Sequence, residues 1–304
     1  YGVLVAFVSY TIQFFEPVRE IARIFAELQM AHAAAERVMG LLNTEPEIQD
    51  RPGLSDKCPH LQGAVEFENV SFAYNPLEPV LEDFNLKVKP GQTVALVGET
   101  GSGKSTIVNL ACRFYEPTKG RVLIDGVDYR DRPLSWLQRN LGYVLQSPHL
   151  FSGNIRENIR YGNLKASDAE VEQAARLVNA HDFIVNLPQG YDSEVGEGGG
   201  LLSTGQKQLI SFARAVLADP KIFVLDEATS SIDTETEMLI QDAIKTVLEG
   251  RTSFIIAHRL STVRSADVIL VIRDGKVQEK GNHTELMAAK GYYYRLYTNQ
   301  FLEG

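Results

Sequence analysis

From Pro17 to Leu42 the apolar residues Ile21, Ile24, Phe25, Leu28, Val38 and Leu41 recur at helical spacing, with Arg19, Glu20, Arg23, Glu27, Glu36 and Arg37 between them. Upstream, Val3 to Phe15 is mostly apolar but shorter than the roughly 20 residues that span a bilayer. Together they predict one long helix, either leaving a membrane or docked on a soluble domain. The opening YGVLVAFVSYTIQFF has no basic region and no start methionine, so it reads as neither a signal peptide nor a natural beginning, and further chain upstream is expected.

The pattern changes after residue 44. Residues 45–62 mix Pro, Gly and charge without periodicity, as an inter-domain linker does, and a compact domain is expected from Gly63 to the end. Strand-like runs follow at AVEFENVSFAY, NLKVKP, TVALVG, RVLIDG and GYVLQ. Helical patterns dominate from about 154 to 217, and strands return at KIFVLDE, RTSFIIAH and DVILVIRDG. Strands interleaved with helices at both ends predict an α/β fold with a largely parallel core. Residues 147–217 form an inserted helical lobe, and the early hairpin signals add an antiparallel β subdomain.

Composition narrows the function. With 304 residues and 44% hydrophobic content the chain can bury a full core, while a formal charge of −9 argues against an electrostatic grip on nucleic acid. Cys58 and Cys112 lack the clustered spacing of a zinc site, and Cys112, inside IVNLACRF, reads as a small buried side chain.

The segment TVALVGETGSGKSTIVNL carries G-x-x-x-x-G-K-[ST] between an apolar strand and a helix. Backbone N–H groups surround phosphate oxygens only where bulky side chains are absent, which accounts for Gly98, Gly101 and Gly103. With Thr100, Ser102 and Thr106 these form a candidate triphosphate site, in which Lys104 reaches the β and γ phosphates and Ser105 ligates Mg²⁺. Farther along, KIFVLDEATSS ends a second apolar strand in Asp226, suited to the Mg²⁺ shell, and Glu227, a candidate general base. A third strand, RTSFIIAH, ends in His258, where a side chain could reach the γ-phosphate. These parts describe a nucleoside triphosphatase without saying what it drives.

The ordered set GETGSGKST, Gln146 in GYVLQSPHLF, LLSTGQ, IFVLDE, SSID and IIAHRLST resembles the ATP-binding-cassette ATPases over roughly residues 63–290. The resemblance implies a P-loop, RecA-like core, ATP and Mg²⁺ as ligands, and two cassettes paired head to tail with each nucleotide shared. Tyr74 is then the aromatic that stacks on adenine, with a β-core tyrosine as its rival. Gln146 ligates Mg²⁺ and senses the γ-phosphate. Asp233 lies at the dimer seam or caps a helix, and His258 steadies the γ-phosphate. Ser203, Gly205 and Gln206 face the partner's ATP. DSEVGEGGG, with Glu194 and Glu197, is similar to the stretch that meets intracellular loops in exporters. Residues 1–44 then become the end of the last transmembrane helix and its cytoplasmic extension. A multi-pass cell-membrane protein with this domain in the cytoplasm is implied.

Thr204 stands where a second glycine is usual, and a β-branched residue restricts the backbone and adds bulk. Benign variation is one reading. The other is a pair of unlike chains, since Glu227 is intact while the signature is altered, which tips the expectation towards a heterodimer of half-transporters over a homodimer. Rival functions are a soluble cassette ATPase acting on ribosomes or DNA, and a regulatory module that binds without hydrolysing. The transported substrate is not legible in this segment.

Overall fold

The structure, a computed structural model, describes residues 1–55, 58–226, 234–257 and 260–301. It divides into two units, Tyr1–Gln49 and Asp50–Gly304.

The first unit is dominated by α1 (Gly2–Leu42), which buries none of its residues and runs through Pro17. Arg23 ties its charged stretch by bonding Glu27 at 2.7 Å and also Glu20. Among the described residues no helix is long and apolar enough to cross a membrane.

The second unit runs β1 (Val65–Asn75), β2 (Glu78–Val88), β3 (Thr93–Val97), α2 (Lys104–Ala111), β4 (Lys119–Ile124), β5 (Val127–Asp128), α3 (Leu134–Arg139) and β6 (Leu141–Val144). A helical stretch follows: α4 (Ile155–Arg160), α5 (Asp168–Leu177), α6 (His181–Val185) and α7 (Thr204–Leu217). The chain then alternates through β7 (Ile222–Asp226), α8 (Thr234–Leu248), β8 (Thr252–Ile256), α9 (Leu260–Ser265), β9 (Val268–Arg273), β10 (Lys276–Gly281), α10 (His283–Ala289) and α11 (Tyr292–Phe301).

Two sheets result. The antiparallel one has the order β2-β1-β4-β5, and β1 turns Val65, Phe67, Val70 and Phe72 inward. The larger has the order β10-β9-β3-β8-β7-β6, parallel except for the antiparallel edge strand β10. Its central strands are covered on both faces, so they read as unbroken apolar runs. In β7, Phe223 and Leu225 enter one core, packed by α7 and α8 residues, while Ile222 and Val224 enter the other beside Ile107 and Leu110 of α2. The side-chain period of two thus divides one strand between two cores.

The described residues between Asp50 and Ala64 are mostly irregular but pinned. Asp50 accepts the Leu134 N–H at 2.8 Å, and Pro59 accepts the Trp136 indole N–H at 3.1 Å. The Asp125 carboxylate accepts the N–H groups of Gln62, Gly63 and Ala64. Arg113 is fully buried at the end of α2 and bonds Glu116 and the carbonyls of Tyr129 and Arg132. Cys112 beside it is also buried, which pushes its thiol up to about 12.

Candidate functional site

Strand β3 ends at Val97 and α2 begins at Lys104, so residues 98–103 form a loop between a buried strand and a helix N-terminus. Gly98 has φ +153°, and a Cβ there would lie 2.2 Å from the Ile272 carbonyl oxygen, so no other residue fits without moving β9. Gly103 precedes α2 at φ +103°, which favours glycine. The Lys104 ammonium donates to the carbonyls of Gly98 and Glu99, both at 2.8 Å, and so lies back over the loop. Burial lowers its pKa, and the nearby charge of Asp226 opposes that shift. Ser102 Oγ is buried and has no hydrogen-bond partner among the described residues.

A cleft of about 420 Å³ opens beside this loop and brings together Tyr74, Lys104, Ser105, Thr106, Gln146 and Asp226. These six come from four separate segments. Thr100, Gly101 and Gly103 also line it. Val80 and Ile256 complete the lining; neither stood out in the sequence, because an apolar strand residue looks the same whether it faces a core or a ligand.

Tyr74 is 52% exposed, which disfavours the reading of a core tyrosine. Its hydroxyl lies 3.2 Å from Thr106 Oγ1, and its ring packs edge-on against Phe72 at 4.9 Å and Tyr115 at 5.0 Å. If Tyr74 stacks on a base, Tyr74→Ala weakens ATP binding about tenfold and leaves inorganic tripolyphosphate binding unchanged in competition titrations. Equal losses for both ligands would reject the stacking role.

The signature segment is built differently. Ser203 caps α7, accepting the Gln206 N–H at 3.2 Å while Gln206 Oε1 accepts the Ser203 N–H at 3.0 Å. Thr204 is the first helical residue and is not among the residues with positive φ. The backbone argument for a glycine there therefore falls away, and only the bulk of the side chain remains. Ser203 and Thr204 are exposed, Gly205 is buried, and none of Ser203, Gly205 and Gln206 lines the cleft that holds Lys104. Glu194 forms an isolated bridge with Asn154, and Glu197 opens the turn Glu197–Gly199. Glu227, Asp233 and His258 lie outside the described residues.

The cleft suits a triphosphate with a divalent cation. A buried cation and a glycine-bent loop suit phosphate, and Ser105, Gln146 and Asp226 supply oxygen donors of the kind Mg²⁺ takes, while neither Gly98 nor Ser102 lines the cleft. Mg²⁺ held there would neutralise phosphate charge.

The chain is 49% identical over 300 residues to the uncharacterized ABC transporter ATP-binding protein YfiC of Bacillus subtilis, covering 99% of this chain and 50% of that protein. It is 49% identical over 295 residues to a fatty acid ABC transporter ATP-binding/permease protein of Mycobacterium bovis, covering 97% of this chain and 46% of the relative. A solved bacterial Atm1-family ABC exporter with ATP bound matches with a TM-score of 0.82 at 39% identity, over 99% of this chain and 52% of its own. The chain thus spans about half the length of the relatives it matches. Residues 81–230, from within β2 to just past Asp226, match the ABC transporter family model, and the chain belongs to that family.

Proposed function

We propose that this chain is the ATP-binding and ATP-hydrolysing part of an exporter. In this reading ATP closes two cassettes on each other, hydrolysis releases them, and the attached membrane helices convert that cycle into transport. ATP drives closure because it contacts the closed pair better than the open one. The observation that carries the reading is the separation of the two halves of the site. Lys104, Gln146 and Asp226 share one cleft, whereas the capped signature helix presents Ser203 and Thr204 elsewhere on the surface, available to a second copy or a related chain. Mg²⁺ would be held by Ser105, Gln146 and Asp226, with Glu227 as base and His258 at the γ-phosphate.

Residues 1–44 would be the end of the last transmembrane helix and its extension, residues 45–62 the connection, and residues 63–304 the cytoplasmic cassette of a cell-membrane protein. A second cleft, about 570 Å³, includes Leu145, immediately before Gln146, with Phe151 and Tyr161. An apolar surface beside a residue that senses nucleotide is where a membrane domain would read the state of the site.

Asp226 and Glu227 kept beside an altered signature favour an unlike partner. Full-length protein reconstituted alone in vesicles should then hydrolyse ATP slowly, and adding the partner chain should restore hydrolysis and ATP-driven efflux. A fast homodimer with two equivalent sites would reject the heterodimer. Rapid hydrolysis never coupled to transport would favour the soluble reading.

A further inference from the structure

The loop that cradles phosphate contains a carboxylate. Glu99 lies between Gly98 and Thr100, and a negative charge so near a polyphosphate opposes binding unless it is held aside and compensated. Glu99 does not line the cleft, although Thr100 does. Its side chain is taken up from the far end of the chain: the Tyr292 hydroxyl, on the first residue of α11, donates to Glu99 Oε1 at 2.6 Å.

Tyr292 is itself fixed. Its N–H donates to Glu279 Oε1 and the Tyr293 N–H donates to Glu279 Oε2 at 2.9 Å, which pins the start of α11 to β10. The guanidinium groups of Arg273 and Arg295 lie over the Tyr292 ring at 5.4 and 5.8 Å, bringing positive charge to the same place. The same C-terminal segment braces the loop twice more. The Gly275 N–H donates to the Ser102 carbonyl at 3.2 Å, and the Ile272 carbonyl closes against Gly98.

We propose that Tyr292 is a positioning residue of the nucleotide site, holding the Glu99 carboxylate away from the phosphates so that the loop accepts a polyanion. The proposal rests on the ATP-binding reading of the loop. It makes α11 part of the nucleotide site without touching nucleotide.

The test is a double-mutant cycle on the full-length protein, titrated with Mg²⁺ and the non-hydrolysable analogue AMP-PNP by calorimetry. Tyr292→Phe keeps the ring and its arginine contacts but frees Glu99, and should weaken binding about fivefold, less at high salt because the released charge is screened. In a Glu99→Gln background the same substitution should shift affinity less than about twofold, since there is no charge left to restrain. Equal losses in both backgrounds, a loss that ignores salt, or no loss in the wild-type background would overturn the proposal. Failure of the unaltered protein to bind AMP-PNP would instead defeat the ATP-binding reading beneath it.

Discussion

Glu227→Gln should cut ATP turnover by roughly 10²–10⁴-fold while ATP binding is retained. Asp226 is the last residue of β7 and lines the cleft, and Glu227 follows it directly. Glutamine keeps the size and most of the hydrogen bonding of glutamate but does not accept a proton from attacking water. Binding energy and chemistry are thereby separated in one substitution. Phosphate release measured beside nucleotide affinity reads both, and turnover at the unaltered rate would remove Glu227 from the role of base. If hydrolysis releases the closed pair as proposed, the variant should also accumulate as an ATP-held dimer, visible by size-exclusion chromatography.

Lys104→Ala should abolish binding at ordinary ATP concentrations, weakening it roughly 100-fold or more. Lys104 is 7% exposed and its ammonium donates to the carbonyls of Gly98 and Glu99, so its loss removes both a cation beside the cleft and the clasp that shapes the loop. Lys104→Arg should not rescue it, because a planar fork does not reproduce the compact ammonium's bonds to the Gly98 and Glu99 carbonyls. Equilibrium binding of labelled ATP together with the melting temperature separates lost affinity from lost folding. Near-normal binding by either variant would displace Lys104 from the centre of the site.

Most of this cleft was legible because its chemistry travels in contiguous motifs. The spacing of Gly98, Gly103, Lys104 and Ser105 names a phosphate loop before any fold is known, and the apolar run ahead of Asp226 places that carboxylate at a strand end. Residues that serve the same cleft from unrelated segments were not legible. Val80 lines it, Tyr115 backs Tyr74 and Tyr292 holds Glu99 only through tertiary folding, and their neighbours in sequence form no pattern that points there. Strand β10 also escaped notice, because KVQEKG carries little apolar alternation on an exposed edge. Thr204 shows the opposite failure. A motif comparison treats it as a glycine replaced, whereas the backbone treats it as an ordinary first residue of a helix.

The division of β7 between two cores has a consequence for the adjacent carboxylates. Asp226 pairs with Ile256 at the end of a register that sets Ile222 against Thr252 and Leu225 against Ile255. Sliding the strand by one residue would bring Glu227 to the position of Asp226, but it would also turn Phe223 and Leu225 into the core now filled by Ile222 and Val224. Two acids that differ by one methylene would thus be kept in the separate roles proposed for them by hydrocarbon on the two faces of the strand. Errors in that choice are proofread by packing, so substitutions at Ile222 or Val224 that loosen the register should blur the chemistry before they unfold the protein.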